Sequence, residues 1–128
     1  MMINAKMECL IPFSNAVRCT CEKRPSNKIK SPYVADIVVD SQPYLGHCPS
    51  LGLGGIMTKG STMIATPSTK GSKTDYVIQA VKEGDIWVGN VPLHANRIVK
   101  QLLQNGSLIP NVESVKPEFT IGNSRIDF

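Results

Sequence analysis

Between Tyr33 and Val81 the chain is a series of short β-branched runs, each soon closed by proline, glycine or serine. That punctuation excludes long helices there and favours a sheet of short strands. Tyr33-Val34-Ala35-Asp36-Ile37-Val38-Val39-Asp40 has the β-branched density of a strand, with Asp36 and Asp40 on one face. Ser41-Gln42-Pro43 reads as the turn that ends it. Gly46 to Gly60, with five glycines and Pro49, reads mostly as loop. Ser61–Thr66 is a strand stopped by Pro67, Ser68–Thr74 a basic loop, and Tyr76–Val81 a strand closed by Lys82-Glu83-Gly84-Asp85. Short strands with turns between them predict a small barrel or sandwich over residues 1–84.

The pattern changes after Gly84, where the sequence places a domain boundary. Ile86-Trp87-Val88-Gly89 is a short apolar strand in which Trp87 is expected to be core. Pro92 suits the first turn of a helix. Ala95, Ile98, Val99, Leu102 and Leu103 then recur at the spacing of one helical face, and Gly106 supplies the stop. Val115–Thr120 and Arg125–Phe128 read as two strands around Gly122-Asn123. The second carries Asp127 in an apolar run, where a carboxylate is costly unless it pairs, binds a metal or stays wet. Nucleotide binding is not supported, because the glycines Gly52, Gly54 and Gly55 lack the Lys-Ser/Thr that completes a phosphate-binding loop.

An apolar fraction of 41% and a charged fraction of 19% fit a globular chain. No apolar run reaches the roughly 20 residues needed to cross a bilayer, and the N-terminus lacks the pattern of a secretory signal. The expectation is a cytoplasmic protein with no membrane partner. Cys9, Cys19, Cys21 and Cys48 would then be reduced. Cys19 and Cys21 are too close in sequence for a typical zinc knuckle, so buried thiols are the favoured reading.

The net charge is +4, and it is unevenly spread. Residues 1–73 hold nine Lys/Arg against four Asp/Glu, while residues 74–128 hold five against six. The basic excess attracts phosphate backbones by counterion release, or else it is a solvated face that aids solubility. Lys23, Arg24, Lys28 and Lys30, with Tyr33 beside them, and Lys59, Lys70 and Lys73 further on, are the candidate nucleic-acid contacts. Arg97 and Lys100 lie on the polar face of the helix, either as solvated surface or as phosphate contacts. Base stacking is expected to be limited, since only Tyr33 and Tyr44 are aromatic near the basic stretch. His47, without a nucleophile partner nearby, reads as structural.

Four fragments taken together resemble the sugar fermentation stimulation protein (SfsA) family. They are Tyr33-Val34-Ala35-Asp36-Ile37; His47-Cys48-Pro49 with Gly52; Val88-Gly89-Asn90 followed by Asn96-Arg97-Ile98-Val99; and Gly122-Asn123-Ser124-Arg125-Ile126-Asp127-Phe128. They occur in the family's order and cover residues 20 to 128. The chain departs from the family at Ser31-Pro32-Tyr33, where relatives carry Lys-Arg-Phe, and at Ser50-Leu51-Gly52-Leu53-Gly54, where relatives carry Asn-Thr-Gly-Ser-Met.

The resemblance implies an OB-like β-barrel over residues 1–84, followed at residues 85–128 by the beginning of a nuclease-like α/β domain of the PD-(D/E)XK type. It also implies DNA binding, and it places Asp127 on the first metal-binding acid of that domain. The second acid and the lysine of the family would lie beyond Phe128, so the chain is expected to be a truncated relative. The resulting expectation is a DNA-binding, regulatory protein that contacts single- or double-stranded DNA mainly through its backbone. One rival is a metal-dependent nuclease using Mg²⁺ or Mn²⁺, with Asp127 as catalytic residue and the site completed by a further segment or a second chain. The other rival is an inactive protein-interaction remnant. An unfinished sheet at Phe128 further predicts self-association, or poor stability of residues 85–128, because open strand edges invite pairing.

Overall fold

Alternation between the two faces of a strand begins earlier than expected. In β1 (Val17–Lys23) Cys19 and Cys21 turn inward while Arg18, Thr20 and Glu22 are exposed. The computed structural model describes residues 9–52 and 55–128, so the glycine-loop residues Leu53 and Gly54 lie outside the described residues.

β2 (Val34–Val39) pairs antiparallel with β1 on one side and with β3 (Gln42–His47) on the other. The β2–β3 turn is Asp40-Ser41, with φ of 48° and 63°, and Val39 pairs with Gln42 across it. Positive φ at both central residues gives the mirror-image turn whose twist suits a two-residue hairpin. This corrects the expected turn at Ser41-Gln42-Pro43: Gln42 and Pro43 already belong to β3, and Asp40 is a turn residue rather than a strand partner of Asp36. Pro43 is tolerated because β3 meets its other neighbour only at Gly46 and His47, which leaves the proline at an edge.

β4 (Thr62–Pro67) pairs antiparallel with β1 and with β5 (Tyr76–Glu83). β3 runs parallel to β5 through Gly46↔Tyr76 and His47↔Val77. This pairing closes a five-stranded ring β1-β2-β3-β5-β4, an OB-like barrel. β6 (Ile86–Gly89) adds to β5 outside the ring. The barrel is filled by Ile37, Met63, Ile78, Val81, Cys21 and Cys48, each less than 2% exposed. Burying one such aliphatic side chain contributes about 1.5–3 kcal/mol. Gly46 leaves room at the closure: a Cβ there would sit 2.9 Å from Ile78 Cδ1 and 3.2 Å from Ile37 Cγ2, so those side chains would have to shift.

The described chain divides into two compact units, with residues 13–92 forming the barrel unit. The boundary read after Gly84 falls inside the β5–β6 hairpin, so β6 belongs with the sheet. Trp87 was expected in the core but is 37% exposed, flanked by Arg18 and Lys82 at 5.7 Å and 5.9 Å from its ring.

The other unit contains residues 93–128. Its helix α1 (Pro92–Gln104) ends where Gly106 adopts φ of 77° and Ser107 N donates to the Leu102 carbonyl. Gln101 Nε2 donates to the Leu10 carbonyl at 2.9 Å. β7 (Phe119–Ile121) and β8 (Ser124–Ile126) form a two-stranded hairpin, exposed throughout. Among the described residues no helix is long and apolar enough to cross a membrane.

Candidate nucleic-acid interface

The basic residues singled out from the sequence fall largely on two loops of the barrel. The β1–β2 loop (residues 24–33) carries Lys28 and Lys30, and the β4–β5 loop (residues 68–75) carries Lys70 and Lys73. In OB-type barrels these two loops and the β2–β3 face form the oligonucleotide surface. Here they meet. A groove of about 440 Å³ is lined by Asn27 and Lys28 from the first loop, Tyr44 from β3, and Lys73 and Asp75 from the second. All four lysines are exposed, and among the described residues none has an ion-pair partner.

Both loops are held by an aspartate at their base. Asp36, projecting from β2, accepts hydrogen bonds from Ser26 Oγ and from Asn27 N. Ser26 is buried, and its Oγ in turn accepts from Lys28 N at 3.1 Å and Ile29 N at 3.3 Å. On the second loop Asp75 Oδ2 accepts from Leu45 N at 2.9 Å, while Asp75 N donates to the Leu45 carbonyl at 2.8 Å. Thr74 Oγ1 lies 3.2 Å from both Ser68 Oγ and Ser72 Oγ. The loops that carry the lysines are thus fixed in advance, which lowers the ordering cost of any ligand they grip.

Arg24 does a different job from the one its charge suggested. Its Nε donates to the Pro32 carbonyl at 2.7 Å, Nη2 to the Ser50 carbonyl at 2.8 Å, and Nη1 faces Met57 Sδ at 3.7 Å. The guanidinium staples the end of the β1–β2 loop to the segment after β3, so its fork is committed inside the protein. Lys23 Nζ donates to Asn27 Oδ1 at 2.7 Å, and Lys59 pairs with Glu22 at 3.5 Å. Lys23, Arg24 and Lys59 line a second groove of about 540 Å³.

Tyr33 is 42% exposed at the end of the β1–β2 loop. Tyr44 on β3 stacks edge-to-face on Tyr76 of β5, with centroids 5.3 Å apart and an interplanar angle of 82°. Tyr76 escaped the sequence reading because its neighbourhood to Tyr44 arises only from the parallel β3–β5 pairing. Asp36 and Asp75 escaped it as loop anchors for the same reason: their partners are backbone groups brought up by folding.

Arg97 and Lys100 lie on α1, in the other unit. So does Asp127, which follows β8 rather than lying within it. Its carboxylate is exposed, and its carbonyl accepts from Glu118 N at 2.9 Å. No group of three or more His, Cys, Asp or Glu that could hold a metal is found among the described residues. A single exposed carboxylate does not fit a tightly bound Mg²⁺ or Mn²⁺.

The cysteines other than Cys9 are buried in the barrel. Burial pushes the Cys19 and Cys48 thiols up to about 11 and raises that of Cys21 as well. They are therefore inert core groups, with Cys48 Sγ 3.5 Å from Met57 Sδ.

No family model matches the chain. The sugar fermentation stimulation protein homolog of Geotalea uraniireducens is 32% identical over 101 residues, covering 74% of this chain and 44% of that protein. The homolog of Clostridium perfringens strain 13 is 29% identical over 120 residues, covering 91% of this chain and 50% of that protein. Among solved structures, Pyrococcus furiosus SfsA in complex with Ca²⁺ matches with a TM-score of 0.71 at 19% identity, over 94% of this chain and 51% of that one. That structural likeness concerns the fold. The chain spans about half the length of the curated relatives it matches.

Proposed function

Because the chain belongs to the sugar fermentation stimulation protein (SfsA) family, we propose that it binds DNA through the phosphate backbone, using the lysines of the two barrel loops. The observation that carries this reading is the convergence of Lys28 and Lys73, far apart in sequence, on one groove of an OB-like barrel. Lys30 and Lys70 extend the same two loops. Phosphate contacts position a strand without reading its sequence, so binding is weakly sequence-specific and falls steeply with salt. The unpaired thiols Cys19, Cys21 and Cys48 suit a reducing compartment such as the cytoplasm.

Residues 93–128 we read as the opening helix and hairpin of a nuclease-like segment, on the strength of the resemblance at Gly122–Phe128. The relative from P. furiosus was solved with Ca²⁺. In this chain the donor set at Asp127 does not suffice for a metal site, so no hydrolytic step is assigned to it.

Fluorescence anisotropy over a salt series tests the proposal. The Lys28→Ala/Lys30→Ala double variant should bind DNA more weakly, and the slope of log affinity against log salt should shrink by about 2. Unchanged affinity and slope would remove these lysines as the contacts.

A further inference from the structure

Next to the lysine groove lies a further cavity of about 470 Å³, bounded by the same two loops. Ile29, Val34 and Val77 are apolar lining residues, and His47, Thr69 and Lys73 stand among its polar ones, with serine and threonine hydroxyls of the two loops beside them. Its size is that of a small-ligand pocket, and apolar side chains stand in it beside hydroxyl and basic groups. His47 stands where the barrel closes, its backbone paired with Val34 on one side and Val77 on the other. The imidazole is half-buried, and among the described residues no hydrogen bond engages its ring nitrogens. An imidazole held by its backbone, with one donor and one acceptor to spare, can read the edge of a planar polar ring.

We propose that this pocket receives an unpaired base of single-stranded DNA, with the flanking phosphates lying along Lys28, Lys30, Lys70 and Lys73. The inference rests on the backbone-contact reading and adds to it a choice between strand forms. Charge complementarity favours a polyanion at the mouth, and the apolar side chains favour a flat, poorly hydrated ring inside. A base within a duplex is stacked on both faces and paired at its edge. Drawing it into the pocket costs a few kcal/mol of unstacking and unpairing, whereas a single strand offers the base freely. Lys73 lines both the pocket and the lysine groove, so one strand can occupy the two together.

The test compares three probes of equal length on the unaltered chain: oligothymidylate, the same sugar–phosphate strand without bases, and a blunt duplex. Oligothymidylate should bind about tenfold more tightly than the abasic strand, as expected when one base is captured, and more tightly than the duplex. His47→Ala should remove most of the advantage of oligothymidylate over the abasic strand. Equal affinity for the base-bearing and abasic strands, or tighter binding of the duplex, would overturn the pocket while leaving the phosphate reading intact. Failure to bind any of the three would overturn both. The comparison of probes needs no variant, so a folding defect in His47→Ala cannot blunt it.

Discussion

Arg24 shows how a single cation can belong to the architecture rather than to the ligand. Its three nitrogens face two carbonyls and a thioether from segments far apart in sequence. Hydrogen bonds from a charged group contribute about 1.5–3 kcal/mol. Arg24→Ala should lower stability by an amount of that order in urea unfolding. Arg24→Lys should fail to restore it, because an ammonium cannot span the planar fork. Gly46 is the reverse case, a residue that matters by what it lacks. Gly46→Ala places a methyl against Ile78 and Ile37 in a filled barrel, and overpacking of this kind costs about 1–3 kcal/mol. The buried thiols give a pH dependence. Cys19 and Cys48 titrate at about 11 in the folded chain against an ordinary value of 9.0. The folded state therefore holds protons that the unfolded state releases, so their contribution is complete below pH 9 and is lost as pH rises towards 11. Urea midpoints should fall over that window. The Cys19→Ala/Cys48→Ala variant, though less stable throughout, should show a shallower fall.

Among the elements, the two lysine-bearing loops are shaped by groups that carry no positive charge. Ser26 links Asp36 to the backbone that leads into Lys28 and Ile29. Ser26→Ala frees that turn while leaving every charge in place. DNA affinity should fall several-fold through lost pre-organisation, and the salt slope should stay the same. A changed slope would mean that phosphate contacts themselves had been lost. This separation of anchor from contact explains what the sequence could and could not reveal. β2, β4, β5 and α1 were legible because β-branched runs and helical spacing are local signals, and β6 because it is a short apolar run. β1 was hidden by its cysteines and basic residues, although its inward–outward alternation is regular. β3 was hidden by Pro43 and Gly46, residues that usually break strands but here occupy an edge and a tight closure. Lys28, Lys30, Lys70 and Lys73 could be picked out by charge. Their convergence could not, since it depends on β3 pairing with β5. The commitment of Arg24 to carbonyls was equally invisible, because the sequence does not say which backbone groups fold against a side chain.

At the scale of the whole molecule, the chain combines a barrel that has its own core with a second unit whose described residues supply none. Every residue named in the core belongs to 13–92, whereas no described residue from 93 to 128 is buried. In that unit Leu93, Leu108, Ile109, Phe119, Ile121 and Ile126 are between 40% and 69% exposed. The β7–β8 hairpin has two strands of three residues each, and such a hairpin is marginal by itself in water. Local stability follows buried apolar contact, so the two units should open at very different free energies. Native-state hydrogen exchange should show barrel amides, such as those of Ile37 and Ile78, protected to near the global unfolding limit. Amides of β7 and β8 should exchange close to the rate of an unfolded chain. The same exposed surface gives the unit a reason to associate, because two copies that cover it against each other would each bury apolar area that is now exposed. Protection of β7 and β8 should then rise with protein concentration, in step with a larger sedimentation coefficient, while protection of the barrel stays constant. Strong protection of the hairpin in a dilute monomer would show that three-residue strands are held by something other than burial.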